Sequence, residues 1–374
     1  MSSREAADRL RIALVHPHVW PDVRRGAERY LHDLAWHLAT AGHEVHVITG
    51  TDGSPDSSMG PMGEQVLKLR HRLPGPLARR RVSKVDTFGL VALPTLVRRR
   101  YDAVHALTPT AAIAASLARQ RVVYTILGHP TTDQMSARPL NRQYMVGAIR
   151  LASRPMALSR GSAEAAGELF GLEVGVLSPG VRMDEFEPDL APRTGAPRVL
   201  FAADAGDARK GVDLAVAALA ALLGRRPDAR LVLAGPGDPS WCLDQQPARV
   251  RDAVDVVGVG TLADLPARYR ASTVTLLPSR HEAFGLVLVE SLACGTPVVC
   301  TPDGGMPEIV DDPLVGRVAR SPSAPHLATA LDEVIGLAAD PEAPARCVSH
   351  ARRWGWRERI GPEHVAVYRS LRRR

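Results

Sequence analysis

Two glutamates, Glu282 and Glu290, stand eight residues apart on either side of the pair Phe284-Gly285. The residues after that pair, LVLVESLA, form an uninterrupted apolar run that reads as a helix, and Gly295 closes it. Glu282 thus falls just before a helix and Glu290 inside it. Eight helical residues rise roughly 12 Å, about the reach from a hexose ring across a diphosphate to a ribose. A carboxylate is a natural two-point acceptor for adjacent hydroxyls. One glutamate can hold the hydroxyls of a sugar and the other those of a ribose. Between them, the N–H groups of Phe284, Gly285, Leu286 and Val287 open the helix, where free donors and the helix dipole favour an anion such as a diphosphate. Gly285 lets a ligand come close to the backbone. The competing reading makes Glu290 a solvent-facing helix residue, but a glutamate in so apolar a helix needs a partner.

The elements around this segment alternate between strand and helix. Residues 11–16 (RIALVH), 45–49, 102–106, 122–126 and 156–158 read as strands. Residues 28–41 carry apolar side chains at helical spacing, and Gly42 ends them. Residues 179–197 hold four prolines and two glycines and read as a linker. The alternation then restarts, with strands at 198–203, 231–234, 254–257, 274–277 and 298–300 and a helix at 212–223. Residues 349–374 read as a helical tail. The prediction is an α/β chain of two Rossmann-like parallel-sheet units, with ligands held beyond the carboxyl ends of the strands.

The sequence His281-Glu282-Ala283-Phe284-Gly285-Leu286 through Glu290, then Ala293-Cys294-Gly295-Thr296-Pro297-Val298-Val299 and Gly304-Gly305-Met306-Pro307-Glu308, resembles the E-x7-E donor motif of family 4 retaining glycosyltransferases. Gly42-His43-Glu44-Val45 resembles the end of that family's first helix, and Ser178-Pro179-Gly180-Val181 its interdomain approach. The resemblance implies the GT-B fold: two Rossmann-like domains facing across a cleft. Residues 1–186 would bind the acceptor and 187–350 the nucleotide-sugar donor. A C-terminal helix, 351–374, would pack toward the first domain.

The resemblance also implies roles for single residues. Gly26 matches the glycine-rich loop whose backbone approaches the donor phosphate, although Arg25 stands where the family usually has another glycine. Arg209 and Lys210 match a basic turn, with Lys210 neutralising charge on the leaving diphosphate. The family commonly has an arginine six residues before that lysine; here it is Asp204. Either Arg209 supplies the missing charge or Asp204 points elsewhere. His129 resembles a histidine near the donor sugar, and a loop histidine without a role is the plainer reading. His16 and His18, at a strand end, are acceptor contacts or structural residues. The catalytic set is then His129, Lys210, Arg209 and Glu282, and the donor set Gly26, Phe284, Gly285, Leu286, Val287 and Glu290. The implied donor is a UDP- or GDP-sugar, with no cofactor and no metal. Retention is implied, with the departing phosphate oxygen taking the acceptor proton. Other readings are a sugar-nucleotide epimerase, a phosphorylase, or a nucleotide-sugar binding protein without turnover.

Composition narrows the setting. The charged N-terminus is not a signal peptide, and the longest apolar helix, 214–223, is too short to span a bilayer. Cys242, Cys294, Cys300 and Cys347 form no CxxC pair and read as packing residues of a reduced, cytoplasmic chain. The first 186 residues hold 24 Lys/Arg against 17 Asp/Glu, while the remainder is balanced. Residues 66–100 carry ten of those cations and one acid, Asp86. A basic helix over 75–100, with Leu77, Val82, Val85 and Phe88 on its apolar side, would dock on anionic lipid at the inner membrane face. A solvated basic loop, or one that draws in an acidic acceptor, is the alternative. Nucleic acid is excluded as a partner, since no interleaved aromatics accompany the charge. Gly258 to Ala263 fits a dinucleotide fingerprint by spacing, but lacks the following acidic residue and reads as a turn, as do Gly235-Pro236-Gly237.

Overall fold

The computed structural model describes residues 9–23, 25–72, 83–137, 139–193, 195–258, 260 and 264–372. The chain divides into two compact units, residues 1–180 with 359–374, and residues 181–358.

The first unit is built on strands β1 (Arg11–Val15), β2 (Glu44–Thr51), β3 (Asp56–Met59), β4 (Gln65–Arg70), β5 (Ala103–Ala106), β6 (Val122–Ile126), β7 (Arg154–Ala157) and β8 (Gly175–Val176). Their order is β3-β4-β2-β1-β5-β6-β7-β8, parallel except for β3. The central strands β1, β5 and β6 are almost wholly buried, as VVYTI in β6 shows, because helices cover both faces of such sheets. The edge strand β3 is the exposed polar stretch DSSM, a sequence that does not invite further strand pairing. The order reverses between β1 and β5, and the carboxyl ends at such a switch point are where open α/β sheets generally take ligands.

Helix Gly26–Thr40 follows β1 and buries Tyr30, Leu31, Leu34 and Leu38. Gly42 ends it in the left-handed region, at φ 86°. Residues 66–70, at the start of the wider basic segment, are strand β4. Of the basic helix expected over 75–100, residues Lys84–Arg98 form a helix. Ser83 fixes its start through a capping box with Asp86. Phe88 on this helix is fully buried, so its apolar side faces the core. Residues 73–82, with Leu77, Val82 and Arg79 to Arg81, lie outside the described residues.

The second unit holds β9 (Arg198–Phe201), β10 (Arg230–Leu233), β11 (Val254–Val256), β12 (Val274–Leu277), β13 (Val298–Cys300) and β14 (Gly316–Val318). All are parallel, in the order β11-β10-β9-β12-β13-β14, with the reversal between β9 and β12. Helices Val212–Leu222 and Ala324–Ala338 pack together over the strands to form the main core. The proline-rich segment after Gly180 is tied into this unit. Val181 pairs with Trp354 and Trp356, Arg193 N donates to Ala338 O at 2.9 Å, and Phe186 is buried against Tyr269. The four cysteines are free and buried, and burial pushes the Cys294 and Cys347 thiols up to about 12.

The tail expected to be helical over 349–374 is helical through Arg372 except at Gly355. Helix Ala343–Ala351 runs into the short turns Arg352–Trp354 and Trp356–Ile360, separated by Gly355 in an extended conformation. Only then does helix Gly361–Arg372 begin, and it belongs to the first unit. No described helix is long and apolar enough to cross a membrane.

Candidate active site

The exits of β9 and β12 lie side by side in the second unit. After β9, Asp207 caps the short turn Ala208–Lys210, its Oδ1 accepting from Arg209 N at 3.0 Å. Gly211 closes the turn at φ 74°, and a Cβ there would overlap the carbonyl oxygen of Pro278. Glycine therefore allows the two exits to touch. The contact brings Lys210 Nζ to 2.6 Å from Glu282 Oε2, both side chains partly exposed. Glu282 is held from behind as well. Its carbonyl accepts from Gly305 N at 3.0 Å, and Gly304, at φ 59°, has no room for a Cβ beside that carbonyl. His281 before it adopts φ 59°, uncommon for a residue other than glycine, and its Nδ1 lies 3.9 Å from Asp303 Oδ2.

Gly285 then turns the chain at φ 104° into helix Leu286–Ala293. No side chain caps this helix, so its first-turn N–H groups are left to other partners. Phe284 is buried under the turn, while Leu286 and Val287 are half-buried. Glu290, one turn on, is buried and has the partner its apolar helix demands: Tyr269 Oη donates to Oε2 at 2.9 Å. Thr296 Oγ1 fixes Tyr269 by donating to its carbonyl at 2.8 Å. Sequence reasoning missed Tyr269; the need for a partner to Glu290 was its one signal.

The exit of β9 also answers the question raised by Asp204. Its Oδ1 accepts from Gly206 N at 2.8 Å, so the exposed carboxylate closes its own turn. Gly237 packs against that turn, with no room for a Cβ. Arg209 is committed to Asp207 by two contacts, Nη2 to Oδ2 at 2.6 Å and Nε to Oδ1 at 3.2 Å. Burial opposes the charge on Asp207, but the Arg209 contacts prevail and hold its carboxyl below the usual range. Of the cations in this turn, Lys210 is the one directed at Glu282. Of the spacing 258–263, residues 259 and 261–263 lie outside the described residues.

In the first unit, the remaining residues sit at the carboxyl ends of strands. His16 follows β1, buried, and its Nδ1 lies 2.8 Å from the His18 carbonyl oxygen and 3.3 Å from the His18 N–H. Burial lowers its pKa to about 4, so the ring is neutral at neutral pH. His18 is half-buried and shifted down by burial and then by the charges of Lys84 and Arg25. Gly26 opens its helix with clear space where a side chain would be. His129 follows β6, with Nδ1 3.3 Å from Ser162 Oγ at the start of helix Arg160–Phe170. Two further groups escaped sequence reasoning. Lys84 Nζ bonds Asp52 Oδ2 at 2.7 Å, Arg72 Nε donates to Asp52 O at 2.7 Å, and His71 beside them is shifted down by burial and by Lys84. Glu28, in the first turn of helix Gly26–Thr40, is 2% exposed, and its Oε2 has no hydrogen-bond partner among the described residues. Burial raises its carboxyl.

Two doubly wound sheets, one with an ammonium, a carboxylate and an uncapped helix start at its switch point, define a glycosyltransferase of the GT-B fold. Residues 183–354 match the family model described as glycosyl transferases group 1, and residues 24–185 match Glycosyltransferase Family 4. A D-inositol 3-phosphate glycosyltransferase of Actinosynnema mirum is 30% identical, covering 93% of this chain and 92% of its own. One from Thermobispora bispora is 29% identical, covering 88% and 86%. Among solved structures, sucrose-phosphate synthase from Thermosynechococcus elongatus superposes with a TM-score of 0.79 at 23% identity, covering 97% of this chain and 99% of that one. HepE of Anabaena, solved with UDP and glucose, gives 0.74 at 20% identity, covering 97% and 100%. The chain belongs to the family 4 glycosyltransferases.

Proposed function

We propose that this glycosyltransferase moves a sugar, with retention and without a metal ion, from a nucleoside-diphosphate donor to a hydroxyl of a small phosphate-bearing acceptor. The observation that carries this reading is the Lys210–Glu282 pair beside an uncapped helix start, with Glu290 one turn beyond. Lys210 and the N–H groups of Phe284 to Val287 would hold the diphosphate. Glu282 would take hydroxyls of the donor sugar, and Glu290, oriented by Tyr269, those of the ribose. Gly26, with open space beside it, would lie near the phosphate, and His129 would bond a donor sugar hydroxyl. A uridine base is favoured, because HepE was solved with UDP and with UDP-glucose.

In the reaction the acceptor oxygen bonds to the anomeric carbon as the bond from that carbon to the phosphate oxygen breaks. The acceptor proton passes to the departing phosphate oxygen on the same face. Negative charge grows on the diphosphate, where Lys210 and the backbone dipoles would stabilise it. That division of labour leaves the protein to position and stabilise. Arg209, bound to Asp207, is assigned a supporting place in the turn.

The acceptor reading rests on two supports. The relatives are named for D-inositol 3-phosphate. In this chain Lys84, His18, His71 and Arg72 gather at the carboxyl side of β1, β2 and β4; burial first and then Lys84 shift both histidines down, against the opposite pull of Asp52. A docking role on anionic lipid is less favoured. Lys68 and Lys84 are paired with Asp22 and Asp52, and Arg99 and Arg100 bond Gln65 and the Ala118 carbonyl.

The test is thermal unfolding with UDP, GDP and ADP, followed by turnover of the stabilising nucleotide's sugars with inositol phosphate in EDTA. Product configuration is read by NMR. A rise in Tm with UDP, then an α-linked product from an α-linked donor, is expected. No shift with any nucleotide overturns the donor site. Inversion, or dependence on a divalent ion, overturns the mechanism. Flotation with anionic vesicles, together with indifference to phosphorylated acceptors, overturns the acceptor assignment.

A further inference from the structure

Helix Gly361–Arg372 is joined to the core of the first unit through five buried polar side chains that the proposed reaction does not use. His364 Nδ1 lies 2.8 Å from the Ile360 carbonyl, and its Nε2 2.8 Å from Tyr30 Oη. The Thr125 hydroxyl also bonds the Tyr30 oxygen. Thr125 Oγ1 lies 2.7 Å from His105 Nε2, and His105 Nδ1 lies 2.7 Å from Tyr368 Oη. Tyr30 is on helix Gly26–Thr40, His105 on β5 and Thr125 on β6, while His364 and Tyr368 are on the C-terminal helix. Tyr30 is 2% exposed and the other four are 0% exposed.

The carbonyl of Ile360 can only accept, and this fixes the direction of every bond in the chain. His364 must carry its proton on Nδ1, leaving Nε2 bare to accept from Tyr30. The Tyr30 oxygen accepts from Thr125, Thr125 accepts from His105 Nε2–H, and bare His105 Nδ1 accepts from Tyr368. Each side chain gives one hydrogen bond and takes one, with both imidazoles neutral. An added proton has no place here. On His364 it would meet the Tyr30 hydroxyl hydrogen, and on His105 that of Tyr368. Reversing the chain would leave a buried donor without a partner, which is costly where water does not reach.

We propose that this chain is a proton-sensitive latch, in which protonation of His105 or His364 releases helix Gly361–Arg372 from the first unit. The surrounding groups reinforce the effect. His37, from helix Gly26–Thr40, packs so closely on Gly361 that a Cβ there would overlap its ring. Burial lowers His364 to about 4 against the upward pull of its bond to the Ile360 carbonyl, and His37 adds a smaller downward one. Burial, and then His364, holds His105 well below its ordinary value. Arg29 is paired with Asp33 on its own helix at 2.8 Å. At the rim, Arg372 reaches Asp102 at 3.2 Å and Arg359 reaches Glu363 at 2.7 Å, both partly exposed.

Released, each imidazole titrates near its ordinary 6.5. Docked, each resists protonation until a much lower pH. The latch is therefore complete above about pH 6.5 and weakens as pH falls below it, by up to about tenfold per pH unit for each histidine and about a hundredfold for both.

The test is amide hydrogen exchange of the full chain between pH 7.5 and 5, corrected for intrinsic rates. Residues 361–372 should lose protection steeply below pH 6.5 while β5 and β6 keep theirs. His364→Gln keeps an acceptor for Tyr30 and removes one titration, so it should halve the pH slope. Tyr368→Phe bares His105 Nδ1, so that ring can take its proton while docked; protection should start lower at pH 7.5 and its pH slope should again be about halved. Constant protection of residues 361–372 in the wild-type chain down to pH 5 overturns the proposal. So does an unaltered slope in His364→Gln.

Discussion

Lys210 Nζ and Glu282 Oε2 meet at 2.6 Å although 72 residues separate them, because Gly211 lets the exit of β9 touch the exit of β12. Each group partly neutralises the other. On the proposed reading, a bound diphosphate would offer the ammonium a stronger partner and leave Glu282 free for hydroxyls. The ammonium counts most as charge develops on the leaving group, so Lys210→Ala is expected to lower kcat by about 10²–10³-fold. The affinity for nucleotide should fall far less. Steady-state kinetics alongside nucleotide titration separates the two, and equal losses in both would mean that Lys210 serves ground-state binding.

Tyr269 donates to Glu290 at 2.9 Å and accounts for a carboxylate inside an apolar helix. Tyr269→Phe removes one oxygen and keeps the ring packed against Phe186. Glu290 loses the hydrogen bond from Tyr269. The expected result is a loss in nucleoside diphosphate affinity of about tenfold, the size of a hydrogen bond to a charged group. The affinity for inorganic diphosphate, which has no ribose, should not change. Calorimetric titration with both ligands checks this, and equal loss for both would place Glu290 away from the ribose.

What was legible in the sequence follows from burial. VVYTI, VTLL and VVC read as strands because both faces of a parallel sheet are covered, so no polar alternation interrupts them. QVLKLR alternates and sits among cations, so β4 was absorbed into a basic segment, and its polar partner DSSM carried no strand signal. The end of the chain was legible in part. Helical periodicity runs on through residues 349–372, yet Gly355 breaks the backbone and the chain changes unit within a few residues. The spacing of Glu282 and Glu290 was visible because it is local. Their partners Lys210 and Tyr269 depend on which strands are neighbours, and a single sequence does not state that. Asp204 is the sharpest case: the residue type was plain, but its bond to Gly206 N decides where its charge goes.

Gly304 offers a test of the backbone behind Glu282. It adopts φ 59°, and a Cβ there would overlap the Glu282 carbonyl oxygen. Gly304→Ala must therefore move Glu282 or unwind the turn that holds it. The expected cost is about 1–3 kcal/mol of stability, with a loss of turnover larger than the stability change explains. Denaturant unfolding and kcat/KM on the same preparation check it. Full activity in Gly304→Ala would show that the position of Glu282 is not set from this side.

Glu28 yields the last expectation, and its sign can be worked out. The residue is buried, one carboxylate oxygen has no hydrogen-bond partner among the described residues, and burial raises its carboxyl above the ordinary 4.5. An acid whose folded value is raised destabilises the fold at pH above that value, since the unfolded chain ionises more readily. Glu28→Gln removes the buried charge at nearly constant shape. It should raise stability at pH 7 by about 1 kcal/mol, a rise in Tm of roughly 2–4 °C for a unit of this size. The gain should shrink as pH falls and vanish below about 4.5, where the carboxyl is protonated in both states. Thermal melts of both proteins from pH 4 to 8 give the comparison. A variant less stable than wild type at pH 7 would mean that the ionised carboxylate is held by a favourable interaction, and the assignment of Glu28 as a strained buried charge would fall.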